Sequence, residues 1–188
     1  IGKKTLLVDA DLRRPSLHRV FGVPIGQGLS NVLLPEISWN EAIFSVPAHA
    51  NLDILLAGPP SRRAADLVPG GISAFLDLAT REYDLVILDS PPLMNFAEPL
   101  YMATAVDGVI LITVAGETHR KAVSSALATL RRVRANIVCI VLNKVTKEFG
   151  VERGSLHPNA GAIASYYKSN ERDMAGNVVG LYQWAVIK

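Results

Sequence analysis

The sequence has a single cysteine in 188 residues. That excludes an internal disulfide and a multi-cysteine zinc site. Cys139 falls in the apolar run Ile137-Val138-Cys139-Ile140-Val141-Leu142, where a small buried hydrophobe is expected. Charge of one sign is not in excess either. Nineteen basic against 17 acidic residues leave a formal charge of +2, too balanced to mark a nucleic-acid binder, so no nucleic-acid partner is expected. No apolar run reaches the ~18 residues that a membrane-spanning helix needs. No signal-peptide pattern opens the chain. The first residue is Ile1 and a strand pattern follows almost at once, so the sequence reads as a fragment. His18, His49, His119 and His157 are scattered, without metal-ligand spacing.

What is present is strand–helix alternation. Five apolar runs read as strands: Lys4 to Asp9, Asn51 to Leu56, Tyr83 to Asp89, Gly108 to Val114 and Asn136 to Leu142. Their apolar residues are consecutive instead of alternating, which suits strands covered on both faces of a parallel sheet. Helical patterns lie between them. Residues 38–44 open with Ser38 and Glu41 at capping-box spacing, 72–82 place Ile72, Phe75, Leu76 and Ala79 on one face, and 118–133 place Ala122, Ala126, Leu130 and Val133 on one face. Pro69-Gly70-Gly71, Gly58-Pro59-Pro60 and Ser90-Pro91-Pro92 read as loops. Trp39 is expected in packing. The fold class is α/β, a doubly wound, mostly parallel sheet. Residues 1–145 form its core and 146–188 a C-terminal tail. The apolar stretch 178–187 is too short to span a bilayer, and docking on the domain, covering an edge and lying at an interface all remain open for it.

Ligands of open α/β sheets sit beyond the carboxyl ends of the strands. Two strands end on acid, in Leu7-Val8-Asp9-Ala10-Asp11 and Ile87-Leu88-Asp89-Ser90-Pro91, so three carboxylates are expected at one rim. A hard cation such as Mg2+ takes oxygen ligands of this kind. A nucleotide phosphate would complete its shell, and an acid would receive the proton of an attacking hydroxyl or orient a water. The bland alternative is that each Asp caps the helix or turn after its strand.

The segment Leu6-Leu7-Val8-Asp9-Ala10-Asp11-Leu12-Arg13-Arg14-Pro15 resembles the second Walker motif of the bacterial tyrosine kinases of capsule and exopolysaccharide export, and Val86-Ile87-Leu88-Asp89-Ser90-Pro91-Pro92 resembles their Walker B segment. The likeness continues through Gly28-Leu29-Ser30, Leu55-Leu56-Ala57-Gly58-Pro59 and Val141-Leu142-Asn143, and covers about residues 3–145. It implies a P-loop ATPase-like fold and an ATP- and Mg2+-dependent protein-tyrosine autokinase. It places Asp9, Asp11 and Arg13 in the catalytic machinery, Asp9, Asp11 and Asp89 at the metal, and Asn143 beside the adenine base. Phospho-acceptor tyrosines are implied near the C-terminus, where Tyr166, Tyr167 and Tyr182 stand. The implied setting is the cytoplasmic face of the bacterial membrane. The implied partners are further copies of the chain that phosphorylate one another, a membrane-anchored activator segment or subunit, and the machinery of polysaccharide polymerisation and export.

The family's Walker A loop is lacking. Gly2-Lys3-Lys4-Thr5 imitates its ending but leads into a strand. The expectation is a sheet without the family's first strand, phosphate loop and first helix, and a chain that by itself binds ATP weakly or not at all. Arg62-Arg63-Ala64-Ala65-Asp66 replaces the usual stretch after Gly58-Pro59-Pro60. Two other readings compete. A positioning ATPase of the partitioning and septum-site kind would share either Walker segment, and a non-catalytic interaction module would have lost its phosphate loop genuinely, not through truncation. Asn143-Lys144-Val145-Thr146 only loosely resembles a guanine-reading motif, since Thr146 stands at its acid position.

Overall fold

A computed structural model of the chain describes residues 2–60, 63–94, 96–145 and 182–187. Seven strands form one sheet in the order β2-β3-β1-β4-β7-β5-β6. The strands are β1 (Thr5–Asp9), β2 (Ile43–Ser45), β3 (Leu52–Leu55), β4 (Leu85–Ser90), β5 (Gly108–Val114), β6 (Ile137–Asn143) and β7 (Tyr182–Ile187). The five expected strands are all present, and β1 pairs in parallel with β3 and β4, and β5 with β6. The helices are α1 (Leu17–Val20), α2 (Leu29–Leu33), α3 (Ala64–Ala79), α4 (Glu98–Ala105) and α5 (Arg120–Arg132).

The apolar runs form strands because burial rewards them. Leu6, Val8, Leu55, Val86 and Leu88 are wholly or almost wholly buried, and pack with Val68, Ile72, Phe75, Leu76 and Ala79 of α3. At roughly 25 cal/mol per Å² of apolar surface removed from water, each such side chain contributes on the order of 1.5–3 kcal/mol. Trp39 closes this core edge-on to Phe75 and Tyr83. The opposite face is thinner: Leu17, Ile54 and Leu56 form a small cluster there, and Leu85, Ile87 and Asp89 are only half-buried. A third cluster joins Val109 and Leu111 of β5 to Ala126 and Leu130 of α5.

Four expectations need correction. Pro69-Gly70-Gly71 is not a loop but lies inside α3. Pro69 and Gly70 face solvent, while Leu67, Val68, Ile72 and Phe75 around them are buried, so tertiary packing outweighs the local cost of Pro and Gly. Residues 38–44 are not one helix. A single 3-10 turn, Trp39–Ala42, gives way to β2, although the Glu41 carboxylate does accept the Ser38 amide at 3.0 Å. Cys139 is exposed, because β6 ends the sheet and no described element covers it. Val138, Ile140, Val141 and Leu142 are exposed with it, which also limits the expectation of strands covered on both faces.

The fourth correction concerns 178–187. Tyr182–Ile187 neither covers an edge nor stays in a tail. It enters the middle of the sheet as β7, antiparallel to both β4 and β5. Consecutive strands β4 and β5, joined through α4, therefore stand one slot apart, and the apolar segment satisfies the backbone groups of both.

Candidate active site

Strand pairing builds the site. Asp9, the last residue of β1, stands in register with Asp89 of β4, and the Ala10 amide donates to the Asp89 carbonyl at 2.8 Å. Parallel strands in register place such residues on the same face, roughly 4.8 Å apart along the sheet. Asp9 is 0% exposed. Its Oδ2 accepts the Ser16 and Leu17 amides, both at 2.9 Å, so it caps the start of α1 as the bland reading expected. Its Oδ1 is buried with no hydrogen-bond partner among the described residues, which capping does not explain.

The acids repel one another. Burial pushes the Asp9 carboxyl up from 3.8 to about 6 against the pull of the Leu17, Ser16 and Asp11 amides, and the Asp11 charge adds to the rise. Burial, then the charges of Asp9 and Asp11, raise Asp89 to about 7, while a hydrogen bond from the Ser16 side chain works the other way. Burial also raises Asp11. Its Oδ1 accepts the amides of Arg13 at 3.1 Å and Arg14 at 2.9 Å, closing a tight turn. The three acids therefore gather at the carboxyl rim of β1 and β4, where the Asp11 charge raises Asp9 and the charges of both raise Asp89. Among the described residues, however, no group of three or more His, Cys, Asp or Glu side chains is arranged to hold a metal ion. The Asp11 carboxylate is turned into its own loop, so the shell of three carboxylates is not assembled by these side chains alone.

Arg13 reaches away from the acids. Its Nε donates to Glu98 Oε1 at 2.7 Å, Nη2 lies 2.7 Å from the same oxygen, and its guanidinium stacks 4.8 Å from the centre of the Phe96 ring. Glu98, in the first turn of α4, is 2% exposed. Sequence reasoning missed Glu98 and Phe96. An acid beside Pro99 at the start of a helix is the ordinary complement to the helix dipole, and nothing local ties it to an arginine 85 positions away.

Asn143 ends β6 on the same rim, but three strand spacings from β4, roughly 14 Å along the sheet. It is exposed, and its Oδ1 accepts the Lys144 amide at 2.8 Å, as a turn former does. Beside it, a cavity of about 540 Å³ opens between the end of β5 and the start of α5, lined by Thr113, Val114, Gly116, Thr118, Arg120 and Leu142 among others. Tyr182 begins β7 at this rim: Gln183 pairs with Ser90, one residue beyond Asp89, and Tyr182 pairs with Ile112. Tyr166 and Tyr167 lie outside the described residues.

A mostly parallel sheet with acids gathered at its carboxyl rim defines an open α/β protein whose site lies beyond the strand ends. No family model matches the sequence. The chain is 32% identical over 143 residues to the tyrosine-protein kinase YwqD of Bacillus subtilis (strain 168), a span of 76% of this chain and 60% of that protein. It is 28% identical over 147 residues to the succinoglycan biosynthesis transport protein ExoP of Rhizobium meliloti (strain 1021), across 76% of this chain and 19% of that protein. Among solved structures, the VpsO kinase domain superposes with a TM-score of 0.71 at 30% identity, covering 77% of this chain and 72% of that one. The chain belongs to the bacterial tyrosine kinase family, and it spans about three fifths of the length of YwqD.

Proposed function

We propose that the chain is the catalytic part of an ATP- and Mg2+-dependent protein-tyrosine autokinase that regulates the synthesis and export of capsular or extracellular polysaccharide. The observation that carries this reading is the register of Asp9 with Asp89, together with the buried, unpartnered Oδ1 of Asp9. Two carboxyls raised first by burial, with the Asp9 charge adding to the rise of Asp89, and an unsatisfied oxygen suit a divalent cation, which would offset the buried charge and take that oxygen as a ligand. Asp9 and Asp89 would hold Mg2+, which when bound neutralises charge on the transferred phosphoryl group. Asp11, two residues beyond Asp9, would take the proton of an incoming tyrosine hydroxyl, and the burial that raises its carboxyl suits a general base. The cavity beside Asn143 supplies room for the nucleotide base.

ExoP is by name a succinoglycan biosynthesis transport protein, which supports the polysaccharide assignment. The acceptors in this reading are Tyr166, Tyr167 and Tyr182, modified between copies of the chain. A membrane-anchored activator would hold the assembly at the cytoplasmic face. Among the described residues, no helix is long and apolar enough to cross a membrane.

The test is mass spectrometry of phosphotyrosine in the full-length protein incubated with ATP and Mg2+. Phosphate is expected on Tyr166 or Tyr167. Asp9→Ala or Asp89→Ala should lower it by about 100-fold or more, the loss typical when transition-state charge goes uncompensated. ATP hydrolysis without phosphotyrosine would favour the positioning ATPase. Neither activity would leave the non-catalytic module.

A further inference from the structure

The loop that carries Asp11 is anchored twice, once to the end of β4 and once to the start of α4. The first anchor is the Ala10 amide on the Asp89 carbonyl. The second is Arg13 on Glu98. The two anchors join the end of β4, beside an acid of the site, to a buried acid outside it. Glu98 is 2% exposed and carries the first turn of α4. A carboxylate so buried is costly unless paired, and Arg13 pairs it through two nitrogens on one oxygen. Phe96 stacks against the guanidinium and fixes its plane. The backbone amide of the same Arg13 is one of the two donors that hold Asp11 Oδ1, the Arg14 amide being the other. One continuous chain of contacts therefore runs from Glu98 through the Arg13 side chain and backbone to the Asp11 carboxylate.

We infer that Glu98 is a positioning residue: it clamps Arg13 and, through Arg13, sets the Asp11 carboxylate for phosphoryl transfer. The inference rests on the kinase reading for its catalytic consequence, but not for the clamp itself. Loosening a group that must be aligned lowers turnover more than it lowers nucleotide affinity, because alignment matters at the transition state. Asn143 and the cavity beside it lie three strands away, so nucleotide affinity should be spared.

Two measurements on the full-length protein test this. The first is the rate of phosphotyrosine formation. Glu98→Gln should lower the rate at saturating ATP and Mg2+ by about 10-fold, with the half-saturating ATP concentration changed by less than about 2-fold. Glu98→Asp, which keeps the charge, should recover most of the loss. In an Arg13→Ala background, Glu98→Gln should change the rate by less than about 2-fold, because the two residues act as one unit. Additive losses, or no loss in the wild-type background, would overturn the proposal.

The second measurement is amide hydrogen exchange. In Glu98→Gln, the Arg13 and Arg14 amides should exchange about 10-fold faster, while those of Ser16 and Leu17, held by Asp9, stay protected. Unchanged Arg13 and Arg14 amides, or equal loosening at all four, would overturn the clamp. If the wild-type protein makes no phosphotyrosine, the kinase reading falls, and exchange alone decides whether Glu98 holds the loop.

Discussion

Gly28→Ala is expected to lower the melting temperature by about 10 °C or more, a cost of about 3–5 kcal/mol for a chain of this size. The backbone conformation is not the reason, since φ at Gly28 is −169°, an extended value open to any residue. Space is the reason. A Cβ at this position would fall on the Leu56 carbonyl oxygen and the Gly58 amide nitrogen, and would lie 2.8 Å from the Ala57 carbonyl carbon. All three are backbone atoms and cannot rotate aside. The contact is close because the start of α2 is sewn to the end of β3: Leu29 N donates to Leu56 O at 2.7 Å, and Ser30 N to Ala57 O at 2.9 Å. Relieving the clash would break these bonds and strand buried donors and acceptors. Gly26→Ala is the control. Nothing lies within 4 Å of its Cβ, so its cost should stay within about 0.5 kcal/mol. Thermal denaturation of both variants decides the matter. Equal melting temperatures would mean that the α2–β3 junction relaxes freely.

Asp9→Asn should make the nucleotide-free protein more stable at pH 8 while removing its chemistry. The folded state holds the Asp9 proton more tightly than the unfolded chain does, at about 6 against 3.8. A raised carboxyl favours folding most below about pH 4 and loses that contribution as pH climbs towards 6. Above that range, folding must bury a charged Asp9. The displacement sets a ceiling of about 3 kcal/mol, and relaxation around the site should cut the measured gain to about 1–2 kcal/mol. Asparagine can still accept the Ser16 and Leu17 amides through its remaining oxygen. The stability difference between variant and wild type should therefore be largest at pH 8 and vanish near pH 3.5, as read by urea denaturation across pH. A difference that does not change with pH would show that burial does not raise the Asp9 carboxyl in the folded protein. In the full-length protein, Mg2+ with ATP should raise the melting temperature of the wild type and not of Asp9→Asn, because the neutral amide is a poor ligand for a hard cation.

The acids were legible in the sequence because each follows a run that only a buried strand accommodates. Once Thr5 to Val8 and Leu85 to Leu88 pair in parallel, Asp9 and Asp89 must meet at the rim. Arg13 was legible as a motif residue, but its orientation was not. A sequence shows that an arginine follows Asp11, and cannot show that a glutamate 85 residues on will hold it. Asn143 was legible as the end of a strand, and only the strand order set its distance from the acids.

The sequence by itself determined the five core strands, the acidic rim and the family likeness, because hydrophobic runs and strand-end carboxylates are local features that can be read without knowing what packs against them. Only the tertiary structure decided the rest. It carried α3 through Pro69-Gly70-Gly71, set β7 between β4 and β5, left Cys139 exposed and buried Glu98 against Arg13. Each of these depends on what packs against a segment from far along the chain, and burial against distant partners outweighs local propensity whenever several side chains leave water together.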